Sequence, residues 1–277
     1  MVYLKTEAEI NIIKKGGYIL ATILQALIKE VKPGVRTANL EDLANRLITA
    51  AGGRPAFKDY PMGGGIFFPS TLCVSINNEV VHGASLPDRV INAGDIVDLD
   101  IGMEWPVTPE LQAKMLASKN PHSKFGGYFT DMCVTVPAGK ISHEAKKLLS
   151  VTQECLVAGI KQVKPGNTLN DIGRAISEIA RRHGYGVVRD LVGHGVGYFA
   201  HEEPDVCNFE IKENSPDNLI LKPGMVIAIE PMINIGDWRV DVADNGYTII
   251  TADNSLSAHF EHTVAVTESG QVILTAL

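Results

Sequence analysis

Four acidic residues recur at one spacing in this chain. Asp100 and Asp131 stand 31 residues apart, and so do Glu230 and Glu261, with the second pair 130 positions after the first. Each acid sits in an apolar, strand-like setting: Val97-Asp98-Leu99-Asp100-Ile101, Thr130-Asp131-Met132-Cys133-Val134, Ile227-Ala228-Ile229-Glu230 and Phe260-Glu261-His262-Thr263-Val264. A single acid in such a strand is more often hydrogen-bonded or turned to solvent. Four at matched positions would converge on a shared axis if the two halves fold alike. Carboxylates gathered that closely raise one another's pKa, and burial adds to the cost of their charge. A pair of divalent cations would balance them. Ligands that are mainly oxygen, with one imidazole, suit manganese, iron or cobalt as well as zinc. Two such ions roughly 3.5–4 Å apart can acidify a shared water, so hydrolysis is the expected reaction class.

The imidazole comes from LVGHGVGYFAHEEPD, residues 191–205, which holds two of the eight histidines seven residues apart in a glycine-rich loop. Gly193 and Gly195 would let the backbone carry His194 close to a metal. His201 would then sit at the rim, free to donate to a substrate carbonyl. His82, in NNEVVHGAS, is a third candidate, again followed by glycine after an apolar strand. Each histidine alone is more often structural. Beside four matched acids, the functional reading wins.

The elements that must position these residues are also written twice. VKPGVRTANLEDLANRLITAAGG (31–53) echoes VKPGNTLNDIGRAISEIARRHGY (163–185). Thr37 and Thr168 are the expected helix N-caps. Leu40, Leu43 and Leu47 in one copy and Ile172, Ile176 and Ile179 in the other keep helical spacing. Gly52 and Gly184 would end each helix. An amphipathic helix precedes each copy, one opening on a Thr6…Glu9 capping box and the other at Ser142. The strands AGDIVDLDIG (93–102) and KPGMVIAIEP (222–231) match, as do YFTDMCVTV (128–136) and HFEHTVAV (259–266). The expected architecture is an α+β duplication about a pseudo-twofold axis. It would form a single domain, 1–277, with related halves at about 1–140 and 141–277.

Bulk properties narrow the class. The chain has 277 residues, 45% hydrophobic and 21% charged, enough for a full core and unlike a disordered sequence. A net charge of −7 gives no reason to expect direct nucleic-acid binding. The start lacks the pattern of a signal peptide, and no apolar run reaches the ~18–20 residues that span a bilayer, so no membrane partner is expected. Cys73, Cys133, Cys155 and Cys207 have no C-x-x-C spacing and read as reduced thiols of a cytoplasmic protein. GHGVGY is too short for a dinucleotide fingerprint, Gly63–Gly65 lacks a P-loop lysine, and no G-x-S-x-G elbow occurs.

SINNEVVHG, GDIVDLDIG, YFTDMCVTV, GHGVGYFAHEEP, LKPGMVIAIEPM and NSLSAHFEHTVAV together resemble, in order and spacing, the type I methionine aminopeptidases of the M24 metallopeptidases. The resemblance spans nearly the whole chain. It implies the α/β pita-bread fold, a pseudo-symmetric duplication around a central antiparallel sheet. It also implies two divalent metal ions (Co, Mn, Fe or Zn) on Asp100, Asp131, His194, Glu230 and Glu261, with Asp131 and Glu261 shared between them. Glu230 would act as acid/base, His201 would polarise the scissile carbonyl, and His82 would contact substrate near the new amine. Cys73, Tyr247, Phe57 and Tyr60 would line the methionine pocket, with Phe68 nearby. Ala200 stands where many members place a larger apolar side chain. The implied substrate is the N-terminus of a peptide or nascent chain with a small second residue, cut by a monomer in transient contact with the ribosome.

The family's usual link between the two matched aspartates is much shorter than the thirty residues found here. The extra segment, about 103–127, is rich in Pro, Lys, Ser and Gly, and reads as an exposed flexible loop with a solvated His122. The nearest alternatives are a proline-type aminopeptidase or dipeptidase of the same fold and a non-catalytic binding homologue. The first generally carries an N-terminal domain, whereas one helix precedes Val31 here. The second would have lost ligands, and all five positions are filled.

Overall fold

The computed structural model describes residues 1–110 and 126–277. Two antiparallel helix pairs back two antiparallel sheets. Helices Glu7–Glu30 and Thr37–Ala50 cover the first half, and His143–Ile160 and Leu169–His183 the second. The first sheet pairs Ile96–Trp105 with Tyr128–Pro137, Leu72–Ile76 and Arg54–Pro55. The second runs Glu202–Val206, Gly193–Gly195, Val226–Ile229, His262–Thr267, Gly270–Ile273.

Alternation along the strands sorts their two faces. Val97, Leu99, Ile101 and Met103 pack into one buried cluster with Leu20, Leu24, Leu40 and Ile48 of the first helix pair. Ile227, Ile229, Val264 and Val266 do the same with Leu148, Leu156, Ile172 and Ile176 of the second. The intervening residues, Asp98 and Asp100 among them, therefore face away from the helices. Cross-strand register places Asp100 opposite Cys133 and Asp131 opposite Gly102.

The sheets meet along a seam where Asp131–Thr135 runs beside His259–Thr263. Asp131 N donates to Thr263 Oγ1 (3.0 Å), whose hydroxyl donates back to Asp131 O (2.7 Å). Glu261 N donates to Cys133 O (3.1 Å), and His259 N to Thr135 Oγ1 (2.9 Å). Matched segments of the two halves thus bind each other directly, and both carry site residues.

Several expectations need correction. Thr168 does form a capping box with Asp171, but Thr37 is not a cap. The Thr37 hydroxyl donates to Ser85 O (2.6 Å), and Asp88 Oδ1, fifty residues away, accepts from Ala38 N (3.1 Å). A tertiary partner displaces the local one. His194 lies on the short strand Gly193–Gly195 rather than in a loop, because that stretch pairs with strands on both sides. Glu230 and Glu261 lie just outside their strands, which end at Ile229 and begin at His262.

The long connection starts later than residue 103, since Met103–Trp105 pair with Tyr128–Thr130. Its base is tied down: buried Glu104 accepts from Arg54 Nε (2.9 Å) and Nη2 (2.8 Å), and from Gly127 N (3.0 Å). Residues 111–125 of that segment, including His122, lie outside the described residues.

Candidate metal centre

Asp100, Asp131, His194, Glu230 and Glu261 line one cavity of about 220 Å³, together with Phe57, Tyr60, Met62, Phe68, Cys73, Val81, His82, His201 and His259. The sequence-based site residues therefore converge, with one exception. Tyr247 is not among the lining residues and meets Phe68 edge-on, with ring centroids 5.6 Å apart. Ala200 is buried in the same apolar cluster as Phe57, Phe68 and Cys73. The glycine run Gly63–Gly65, all at positive φ, is the turn that joins Pro61–Gly63 to Ile66–Phe67 and carries Met62 toward the pocket.

Donor atoms cluster tightly on the cavity floor. Three overlapping groups each hold theirs within 4.8 Å: Asp100, Asp131 and Glu261; His194, Glu230 and Glu261; and Asp131, His194 and His201. Asp131, His194 and Glu261 each belong to two of these groups. One oxygen of every acid has no hydrogen-bond partner among the described residues, namely Asp100 Oδ1, Asp131 Oδ1, Glu230 Oε1 and Glu261 Oε1. Buried carboxylate oxygens are rarely left this way, and four pointing into one floor are the donor set a hard or borderline cation requires. The residues fit a divalent metal site.

His194 is prepared for the same task. Its Nδ1 lies 2.9 Å from Gly195 O, and a carbonyl can only accept, so Nδ1 carries the proton and Nε2 keeps its lone pair. That Nε2 is 3.4 Å from Glu230 Oε1. Glycine on both sides is a packing requirement here: a Cβ at Gly193 would come within 2.4 Å of Ala228 O, and one at Gly195 within 2.2 Å of Glu203 O.

The electrostatics follow from burial. Burial pushes the Asp100 carboxyl well above its ordinary range, with Asp98 and Glu230 adding to it. Burial and then Asp100 do the same to Asp131, and burial and then Asp131 to Glu261. Burial lifts Glu230 to about 8, an effect opposed by His259 and reinforced by Asp131 and Asp98. Burial also lowers the His82 and His194 rings to about 4, and His201 well below its usual value with His194 and His82 contributing. All three imidazoles are therefore neutral at pH 7.

His201 lies at the mouth of the pocket, its ring centroid 4.4 Å from that of His194 and 4.9 Å from that of Tyr60. Its loop is braced from the chain start. Glu202 accepts from Tyr198 N (3.1 Å) and Phe199 N (3.3 Å) and pairs with buried Lys5. His82 has a left-handed backbone (φ 58°), and its carbonyl accepts from Thr248 Oγ1 (3.0 Å).

Sequence reading missed Asp98 and His259, which with Cys133 form a further buried donor group beside the floor. Strand alternation was the available signal, since Asp98 shares a face with Asp100, and His259 lies two residues before Glu261. Met62 and Val81, also part of the cavity wall, carried no such signal.

Known proteins resemble this chain in sequence and in fold. The model of metallopeptidase family M24 matches residues 11–108 and 113–268. Methionine aminopeptidase of Clostridium perfringens is 39% identical, covering all of both chains. That of Aquifex aeolicus is 41% identical over all of this chain and 99% of its own. The crystal structure of the Thermotoga maritima methionine aminopeptidase superposes with a TM-score of 0.86 at 37% identity, over the full length of both. The prolidase of Pyrococcus horikoshii shares the fold (TM-score 0.71, 22% identity), and 63% of its chain is covered. Among the described residues, no helix is long and apolar enough to cross a membrane.

Proposed function

The chain belongs to metallopeptidase family M24, and from that premise we propose that it removes the initiator methionine from peptides and nascent chains whose second residue is small. The observation that carries this is the cavity floor, where four carboxylates each leave one oxygen unpaired beside the lone pair of His194 Nε2. Asp100, Asp131, His194, Glu230 and Glu261 would hold two divalent ions. Asp131 and Glu261 would serve both: each stands in two donor groups and has two carboxylate oxygens, whereas His194, also in two groups, has one free nitrogen. When bound, the ions supply Lewis acidity that activates water and polarises a carbonyl.

The chain's own groups do the rest. Glu230, whose Oε1 has no hydrogen-bond partner among the described residues, takes a proton from the attacking water and returns it to the leaving amine. Neutral His201 donates to the substrate carbonyl oxygen as negative charge develops there. Neutral His82 can accept a hydrogen bond from the amine. Phe57, Tyr60, Met62, Phe68, Cys73 and Val81 exclude water and offer the polarisable, apolar wall that suits an unbranched thioether. Tyr247 supports that wall through Phe68.

We place this activity in a cytoplasmic monomer that meets nascent chains at the ribosome, its domain spanning 1–277 with halves near 1–140 and 141–277. Metal-stripped protein reloaded singly with cobalt, manganese, iron or zinc should cleave Met-Gly-Ser-type peptides and leave Xaa-Pro peptides intact. Turnover without metal, or a preference for Xaa-Pro, would refute the reading. His201→Ala should lower kcat about 10²–10³-fold while metal content holds. Loss of metal instead would make His201 a ligand.

A further inference from the structure

Behind Glu230 lies an arrangement that the reaction as described does not use. His259 is buried at 2% exposure and sits between two carboxylates. Its Nδ1 faces Asp98 Oδ2 at 3.6 Å and its Nε2 faces Glu230 Oε2 at 3.7 Å. Asp98 Oδ2 and both ring nitrogens have no hydrogen-bond partner among the described residues. Three buried polar atoms in a row would each carry a desolvation cost if they stayed apart. They are within a small side-chain rotation of bonding, and such contacts commonly tighten only in the working complex.

The ring cannot drift away from this position. Thr135 Oγ1 accepts from His259 N (2.9 Å) and has one proton to share between His259 O (2.9 Å) and Asp98 Oδ1 (3.1 Å). One hydroxyl thus ties the histidine backbone to the carboxylate that faces its ring. At the other end, Glu230 is split between two imidazoles, Oε1 toward His194 Nε2 (3.4 Å) and Oε2 toward His259 Nε2.

We propose that His259, oriented by Asp98, is a positioning residue for Glu230: it fixes Oε2 and so aims Oε1 at the reacting water. The inference rests on the proton-carrying role of Glu230 argued above. The line from Asp98 Oδ2 through the ring to Glu230 Oε2 presents one carboxylate oxygen to each ring nitrogen.

The test compares His259→Leu, His259→Gln, Asp98→Asn and the Asp98→Asn/His259→Leu double variant in metal-loaded protein. Each is assayed for kcat, KM, metal content and melting. His259→Leu should lower kcat about 10–100-fold, the usual cost of losing an outer partner of a metal ligand. KM should stay within about twofold and metal content should match the parent. His259→Gln, whose amide can still donate to Oε2, should recover most of the rate. Asp98→Asn should lower kcat by a smaller factor and add nothing in the His259→Leu background, because Asp98 acts through the ring.

Equal losses in His259→Leu and His259→Gln, or losses that multiply in the double variant, would overturn the proposal. So would an extra metal equivalent in the parent that His259→Leu lacks, since the pair would then be ligands. Glu230→Gln separates the two levels. If it stays active, the role given to Glu230 fails; if it is dead while His259→Leu is fully active, only the positioning inference fails.

Discussion

At the residue scale, Glu230 concentrates the chemistry. Glu230→Gln should keep the fold and lower kcat about 10²–10⁴-fold, the range for losing a general acid/base; steady-state kinetics beside a melting curve would check both halves. The surrounding acids add a prediction about metal removal. In metal-free protein the folded state keeps Glu230 protonated up to about 8, with Asp100, Asp131 and Glu261 also raised. The unfolded chain releases those protons near its ordinary carboxylate value of about 4. Between about 4 and 6.5 the lowered rings of His82, His194, His201 and His262 offset this, because the unfolded chain holds their protons there. From about 6.5 to 8 the acids leave the folded state with more protons, and its stability falls as pH rises. Melting of chelated protein should drop from pH 6.5 to pH 8, and reloading with metal should flatten the slope; a chelated protein as stable at pH 8 as at pH 6.5 would contradict it. The sequence made the five proposed ligands legible because four of them repeat at an offset of 130. Asp98 and His259 escaped because their counterparts at that offset are Ala228 and Phe129. Duplication reveals shared chemistry and hides what one half acquired alone.

At the scale of elements, the helices and strands were readable where local rules decide and misread where tertiary contacts do. The Thr6…Glu9 box and the Ser142 cap are local, and both form. Thr37 matched Thr168 by pattern, yet Ser85 claims its hydroxyl and Asp88 caps the helix in its place. The loop that carries His201 shows the same dependence on distant partners. Lys5 pairs with Glu202 out of solvent, and Tyr198 OH donates to Glu9 Oε1 (2.7 Å) of the first helix. Lys5→Met should strand the Glu202 carboxylate without its cation. A loss of about 3–5 kcal/mol in denaturant unfolding is expected, with a fall in kcat at unchanged metal content. Stability within 1 kcal/mol of the parent would show that the pair holds nothing.

At the scale of the molecule, the sequence announced a duplicated fold because each half repeats helix, strand and acid in one order. It could not announce the pocket walls. Met62 arrives by way of a glycine turn and Tyr247 meets Phe68 without lining the cavity, and neither placement follows from spacing. The two halves join along the seam between Asp131–Thr135 and His259–Thr263, on which two of the proposed ligands ride, and through the pairing of Glu79–Val81 with Ile249–Thr251. Turnover should therefore vanish with the first structural transition in a denaturant series, whichever helix pair reports it. Activity that outlasts that transition would mean the halves need not be docked. The seam also acts as a safeguard. With the proposed ligands divided between the halves, a copy that is half-synthesised or half-melted lacks part of its metal site, so hydrolytic power would be released only once the molecule has closed.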